Sequence, residues 1–528
     1  MTRLKDIRFA WFVILSAGGC LVVFLPLIPI DETRYVSVAW EMWTNHSFLV
    51  PLLNGQPYSH KPPMLFWLIQ AGWYLFGVSK FIPRVVPLFA AMINLVLVCR
   101  IARELWPEEK KTAVHACIIL SSTLIWTMWS GLVMFDMVLS VWVLAGLLGV
   151  LTGVRKRQWT SWMMIAAGTG GGILTKGPVV LVHVLPAALF AFWWDTGRRK
   201  DAAWYVWVLT AVLCGTGIAL AWAIPAAREG GKAYSEAIFW GQTAHRMVSS
   251  FAHHRPFWWY VPILPLIFFP WCLVSFSWKG LGSVSDRGKR FCMVWFVSAF
   301  IIFSVISGKQ FHYLLPDMPA VILLFAKGLS SGREQPSSQR FLPVGIAYVL
   351  MGAAFLVMSL TGLRPDIGPM PFLPAVVLSL GTLAMGLYFA LSRFRSVETG
   401  VRAVALSIVV FVCLVLFSGQ ALLKARYDLS DVSRIISRNQ AEGIAIGHFG
   451  KYYGQYQFAG RLKKPLVVVR SSHDVERFLK DHPDGMIVSY TRSKVLPKEE
   501  GICYEHPFRR KTVILWKGRA FARYLHKL

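Results

Sequence analysis

Residues 9–35 read FAWFVILSAGGCLVVFLPLIPIDETRY. From Phe9 to Ile30 no side chain carries a charge, and then Asp31, Glu32 and Arg34 follow within four residues. About 20 apolar residues at 1.5 Å each cross the hydrocarbon core of a bilayer. The run therefore predicts a membrane-spanning helix whose end sets charged groups down at the water boundary. Its basic start, Met1 to Arg8, resembles a signal peptide. It lacks an A-x-A cleavage site and ends in Pro26-Leu-Ile-Pro29, which predicts an uncleaved anchor.

The same pattern recurs along the chain. About thirteen apolar runs meet the length criterion, near 9–29, 83–103, 113–131, 134–152, 162–177, 178–194, 203–224, 258–277, 291–307, 311–327, 341–361, 372–391 and 402–423. Of 528 residues, 55% are hydrophobic and 16% charged, and mean hydropathy is +0.51. A soluble domain carries about 25% charged residues, so the composition excludes one, as it excludes a disordered chain or a disulfide scaffold. The expected class is an α-helical polytopic membrane protein. The net charge of +28 fits basic cytoplasmic loops and anionic head groups better than nucleic acid, and no nucleic-acid partner is expected. Seven of the eight cysteines lie in apolar runs, and no CxxC motif is present.

Alternate connections are short and basic: Arg155-Lys156-Arg157, Arg198-Arg199-Lys200, Arg287 with Lys289-Arg290, and Arg393 with Arg395. The positive-inside rule puts these in the cytoplasm. The loops 30–82, 225–257, 308–311 and 362–371, and the tail, are then outward. Within 30–82, stretches 34–46 and 64–77 read as interfacial helices. The domain reading is a membrane domain over 1–423 and a small outer α/β domain over 424–528. In the latter, Gly443–Ile446, Pro465–Val469, Met486–Tyr490 and Thr512–Trp516 read as strands, and Ser472–Lys480 as a helix with a serine cap.

Charges beside a membrane are costly and mark function. On the outward side they gather in Asp31-Glu-Thr-Arg-Tyr35, in Tyr58-Ser-His-Lys-Pro-Pro63, at Asp136, at Lys176 and in Lys309-Gln-Phe-His-Tyr313. The loop 225–257 adds Tyr234, His245, Arg246, His253, His254 and Arg255. Such cations suit phosphate, and a carboxylate among them suits a general base or an acceptor anchor. Imidazoles with a carboxylate could also hold a divalent metal.

Asp31–Tyr35, followed by Asn54-Gly-Gln-Pro-Tyr-Ser-His-Lys-Pro-Pro63, resembles the first outer loop of the 4-amino-4-deoxy-L-arabinose lipid A transferases and the related protein O-mannosyltransferases, which have the GT-C fold. Met134–Val138, Gly171–Pro178, His254–Tyr260 with Phe269-Pro-Trp271, and Ser307–Pro316 continue the resemblance in order. It implies a glycosyltransferase using a polyprenyl-phosphate sugar donor at the periplasmic face of the inner membrane. Asp31 would be the catalytic carboxylate and Asp136 a second acidic residue of the site. Arg34, Tyr35, Tyr58, Lys61, Lys176, Lys309 and Tyr313 would bind the donor and its phosphate. Relatives often carry Glu before Lys-Pro-Pro, in a position tied to metal binding. Here it is His60, which with His254 could ligate zinc; magnesium or manganese are the other ions the family implies. The expected acceptor is lipid A, with a polysaccharide or a protein as alternatives, and a monomer is expected. A lipid flippase would instead show inverted repeats and broken midplane helices, and a scaffold would keep its activity in the tail.

Overall fold

A computed structural model describes residues 2–196, 201–241, 254–282, 286–330, 341–361, 371–492 and 500–526. His245, Arg246 and His253, and the basic triplet at 198–200, lie outside them. Among the described residues, nine helices are long and apolar enough to cross a membrane, or ten if the pair Lys110–Ser121 and Leu124–Ser130, bent by 66°, makes one span. The expected thirteen is not reached by that measure. The run 178–194 breaks into Val180–Leu189 and a short turn of helix at Ala191–Trp194, and 258–277 becomes a chain of short 3-10 and α turns interrupted by prolines. Proline removes a backbone donor and clashes with the preceding turn, and Pro262, Pro265 and Pro270 divide the run 258–277; the helix Val180–Leu189 runs through Pro186 and stops at Phe190.

The chain divides into two compact units, the first formed by residues 1–23, 59–356 and 376–416 and the second by 24–58, 357–375 and 417–528. In the first, the helices Asp136–Lys156 and Trp159–Lys176 follow one another across a two-residue turn. They lie close because glycine replaces side chains where they touch. A Cβ on Gly168 would lie 2.8 Å from the Gly146 backbone, and one on Gly171 would lie 2.3 Å from the Trp142 ring. Small residues allow such approach between helices in lipid. Because the pair is antiparallel, the start of one helix and the end of the next fall at the same level. Asp136 and Lys176 occupy those two ends. The charges suit the helix dipoles, with the acid at an N-terminus and the base at a C-terminus.

In the second unit the tail forms a five-stranded sheet. With β1 (Leu52–Leu53) and β2 (Gln56–Pro57) a separate hairpin, its strands are β3 (Ile446–Phe449), β4 (Val467–Val469), β5 (Met486–Thr491), β6 (Ile502–Phe508) and β7 (Lys511–Lys517), ordered β4-β3-β5-β7-β6. β3 pairs parallel with β4 and β5, and β7 pairs antiparallel with β5 and β6. The helix Ser472–Asp481 starts with a capping box between Ser471 and Asp474. Two apolar clusters fill the sheet's faces, one around Val488 and Leu515, the other around Ile487, Ile514 and Trp516.

The helix Asp31–Thr44 belongs to this unit, and most of its residues from Glu32 to Met42 are buried. The Trp40 indole donates to the Leu462 carbonyl (2.9 Å) and the Ser37 hydroxyl to the Gly454 carbonyl (2.5 Å). Asn54-Gly55 has φ of 53° and 75°, the left-handed pair that a tight hairpin needs. The Glu41 carboxylate accepts from both of their amides, at 2.6 and 2.8 Å, while Asn54 exchanges hydrogen bonds with the Leu466 backbone at 2.9 and 2.8 Å. Burial pushes the Glu41 carboxyl above its ordinary range, and the two amides oppose that. Helix Met64–Phe76 leaves Leu68, Tyr74, Leu75 and Phe76 exposed.

Two expectations follow. Gly168→Val should force the helices 136–156 and 159–176 apart and lower the melting temperature of the detergent-purified chain; an unchanged melting temperature would show the close approach to be dispensable. His448 is buried among Tyr452, Tyr456 and Tyr490, and burial lowers its pKa from 6.5 to about 4. The unfolded chain therefore binds a proton that the folded chain refuses. Its contribution is complete above pH 6.5 and is lost progressively toward pH 4, up to about 3 kcal/mol. Melting curves between those pH values should fall less steeply for His448→Leu than for the parent.

Candidate active site

In the first unit, the Lys176 ammonium donates to the Asp136 carboxylate at 2.6 Å, with Asp136 1% exposed. Such a pair repays its desolvation only with good geometry and further partners. Those are present. Lys176 also lies over the Tyr313 ring, 5.0 Å from its centre, and Lys61 lies over the Phe135 ring at 5.5 Å. His312 and Lys61 both act electrostatically on Asp136. Thus Lys61, Asp136, Lys176 and Tyr313, expected from four separate strings, are brought together around one carboxylate. Two lysines beside one another are the kind of cations that a phosphate takes as partners.

Two groups of this region were not assigned from sequence. His312 is stacked on Trp129, with ring centres 5.8 Å apart; its place between Lys309 and Tyr313 was the available signal. The buried Asp317 carboxylate lies 2.9 Å from His183 Nδ1 and accepts from the Trp295 indole at 3.0 Å. Nothing in the spacing of those three residues announces that they meet.

Lys309 is buried and donates to the carbonyls of Arg255 (3.0 Å) and Ile306 (2.6 Å), so its ammonium closes the backbone there. His60 and His254 are both exposed, and His254 pairs by backbone with Gly308. Among the described residues no three His, Cys, Asp or Glu side chains are gathered to hold a metal. No step below runs through a metal ion.

In the second unit, Asp31 opens its helix and ion-pairs with Arg34, and the Tyr35 hydroxyl donates to the same carboxylate oxygen at 3.4 Å. The Asp31 side chain is 54% exposed and Arg34 21%. Tyr58 is buried and acts electrostatically on Arg34 and Tyr35. Burial, with Asp31 nearby, raises the Tyr35 phenol well above its ordinary range, so it stays protonated and donates. Asp31 is thus an accessible, oriented carboxylate. At the basic ends of the helices, Asp195 of Trp193-Trp194-Asp195 pairs with Arg287 at 2.8 Å and Arg155 at 3.8 Å, a structural cluster.

Residues 60–222 match the family model of the dolichyl-phosphate-mannose-protein mannosyltransferases. The undecaprenyl phosphate-alpha-4-amino-4-deoxy-L-arabinose arabinosyl transferase of Edwardsiella ictaluri is 28% identical over 383 residues, 69% of this chain and 68% of that protein. A relative of the same description from Sodalis glossinidius is 28% identical over 352 residues, 63% of this chain and 61% of that protein. Among solved structures, ArnT from Cupriavidus metallidurans in the apo state superposes with a TM-score of 0.75 at 17% identity, covering 99% of both chains. The same enzyme bound to undecaprenyl phosphate gives 0.71 at 18%, covering 97% of both.

The fold is that of the GT-C membrane glycosyltransferases, and the chain is a glycosyltransferase of that class. Within the class its likeness is to the 4-amino-4-deoxy-L-arabinose transferases.

The Asp136–Lys176 pair can be tested by a double-variant cycle. Removing one partner of a buried pair costs about 3–5 kcal/mol. Asp136→Asn and Lys176→Met should each lower stability strongly. The double variant should recover part of that loss while remaining inactive. Recovery of activity with stability would show the pair to be scaffolding alone.

Proposed function

We propose that this protein transfers a sugar from undecaprenyl phosphate to lipid A at the periplasmic face of the inner membrane, the sugar being 4-amino-4-deoxy-L-arabinose. The grouping of Lys61, Lys176 and Tyr313 around Asp136 carries the reading. The names of the relatives supply the donor. Lys61 and Lys176 hold the carrier phosphate. As the acceptor oxygen attacks the anomeric carbon, the bond from that carbon to the phosphate oxygen breaks, and the phosphate leaves with the electron pair as a monoester anion. Asp31 takes the acceptor's proton where the attacking oxygen carries one, with Arg34 and Tyr35 holding it in place. The result is a single displacement with inversion at the sugar carbon.

No step requires a nucleoside diphosphate to be neutralised. The charge to be stabilised is that of one phosphate, and a well-placed donor contributes about 3–4 kcal/mol in such a site. The family-model match to protein mannosyltransferases favours a protein hydroxyl as the second acceptor class.

Proteoliposomes holding the purified chain, undecaprenyl phosphate-linked aminoarabinose and lipid A test the proposal. Asp31→Asn should lower kcat by about 10²–10⁴ with the donor KM little changed. Transfer at the parental rate by that variant would remove Asp31 from the chemistry. Transfer to protein in place of lipid A would select the other acceptor.

A further inference from the structure

The second unit contains a cavity of about 910 Å³ whose charge is one-sided. Lys451, Arg492, Arg509, Arg510 and Lys511 line it, and among the described residues no Asp or Glu belongs to its lining. Pro29 and Ile30 complete the wall, so it ends one residue before Asp31. Five like charges around one space repel one another, and the field they make concentrates anions there.

The walls are held in place. Arg509 and Arg510 form the turn between β6 and β7, where Arg509 has φ of 55° and its amide donates to the Arg426 carbonyl at 3.0 Å. The aromatic lining consists of Tyr427, Tyr453, Tyr490 and Phe508. Lys451 lies over the Tyr453 ring at 5.2 Å, and Lys511 over the Tyr490 ring at 5.9 Å. The Tyr490 hydroxyl is fixed in turn by Gln455 at 2.8 Å and by Tyr456. Cations give a phosphate its partners, and aromatic faces give a sugar ring its apolar contact. The volume lies within the range of small-ligand pockets, about 300–1,000 Å³, and admits a phosphorylated disaccharide.

We propose that this cavity binds the phosphorylated saccharide headgroup of the acceptor lipid. The inference rests on the transferase reading and adds the place where the acceptor is recognised. The donor's phosphate belongs to the lysines of the first unit, and the acceptor's phosphate belongs to Arg492, Arg510 and Lys511. Acceptor choice is therefore made largely by charge, through residues apart from those that hold the carrier.

Full-length protein in detergent serves for the test. Binding of bisphosphorylated lipid A is measured against its dephosphorylated form and against phosphatidylglycerol, without donor. The parent should bind the phosphorylated form at least tenfold more tightly than the other two. R492Q/R510Q/K511Q should abolish that preference. In the transfer assay the variant should raise the acceptor KM tenfold or more with the donor KM unchanged. R434Q, at an exposed position of the helix Ser430–Ala441, should change neither. Should the triple variant unfold, R492Q alone should raise the acceptor KM severalfold. Equal binding of phosphatidylglycerol would assign the cavity to membrane phospholipid and overturn the proposal, as would a change confined to the donor KM. If the parent binds phosphorylated lipid A selectively yet transfers nothing from undecaprenyl phosphate, the transferase reading fails while the cavity's specificity stands. If the parent transfers sugar and the variant's KM is parental, the reverse holds.

Discussion

The ion pair between Asp136 and Lys176 is the interaction on which the first unit's chemistry depends. Neither charge tolerates hydrocarbon alone, and each is tolerated because the other stands 2.6 Å away. That distance is set by backbone and not by reach. The two helices are antiparallel neighbours, and their glycines let them lie close enough for the ends to meet. A chain with larger residues at Gly168 and Gly171 would carry the same charged groups without the pair. Lys61 and Tyr313 then assemble around a centre that already exists.

The second unit is built on an analogous economy. The Glu41 carboxylate is buried, and its two donors are amides of a left-handed turn. Asn54 passes the connection on to the Leu466 backbone, more than four hundred residues away. The string Asn54 to Pro63 therefore does two jobs. Its first half is structural, joining the early loop to the tail, and its second half carries Lys61. The helix that presents Asp31 gains its rigidity from the tail, which is why an exposed carboxylate at its first residue can keep one orientation.

Much of this was legible in the amino-acid sequence. Apolar length revealed most spans, and short apolar runs revealed three tail strands and the capped helix at 472, while the strand expected at 443–446 lies at Ile446–Phe449. Ser471 and Asp474 form their cap because local hydrogen bonding needs only local sequence. Strand β6 escaped because its residues, Ile502 to Phe508, mix Glu, His and Pro with the apolar ones. The runs 178–194 and 258–277 are apolar as expected, but neither forms a single helix of spanning length. The hardest things to foresee were encounters between distant residues. His183, Asp317 and Trp295 meet in one network, and Pro29 shares a cavity wall with Arg510. Their separation along the chain contains no trace of either.

The charge on the chain also divides by purpose. Inside the first unit a cation is matched with an anion, as at Lys176. The described lining of the second unit's cavity holds five cations and no carboxylate. A transferase with a lipid-borne leaving group has reason to differ in this way. Two unit charges 4 Å apart interact with about 4 kcal/mol at an effective dielectric of 20. An unmatched lysine in a dry site would hold the departing phosphate so firmly that release would limit turnover. In the proposed transfer, Asp136 moderates that attraction, so that Lys176 stabilises the developing charge without trapping the product. At a hydrated surface the same charges are screened, and several cations together are needed to discriminate among anionic lipids. The buried pair and the basic cluster are thus two answers to one problem, the strength of a phosphate contact in two different dielectrics.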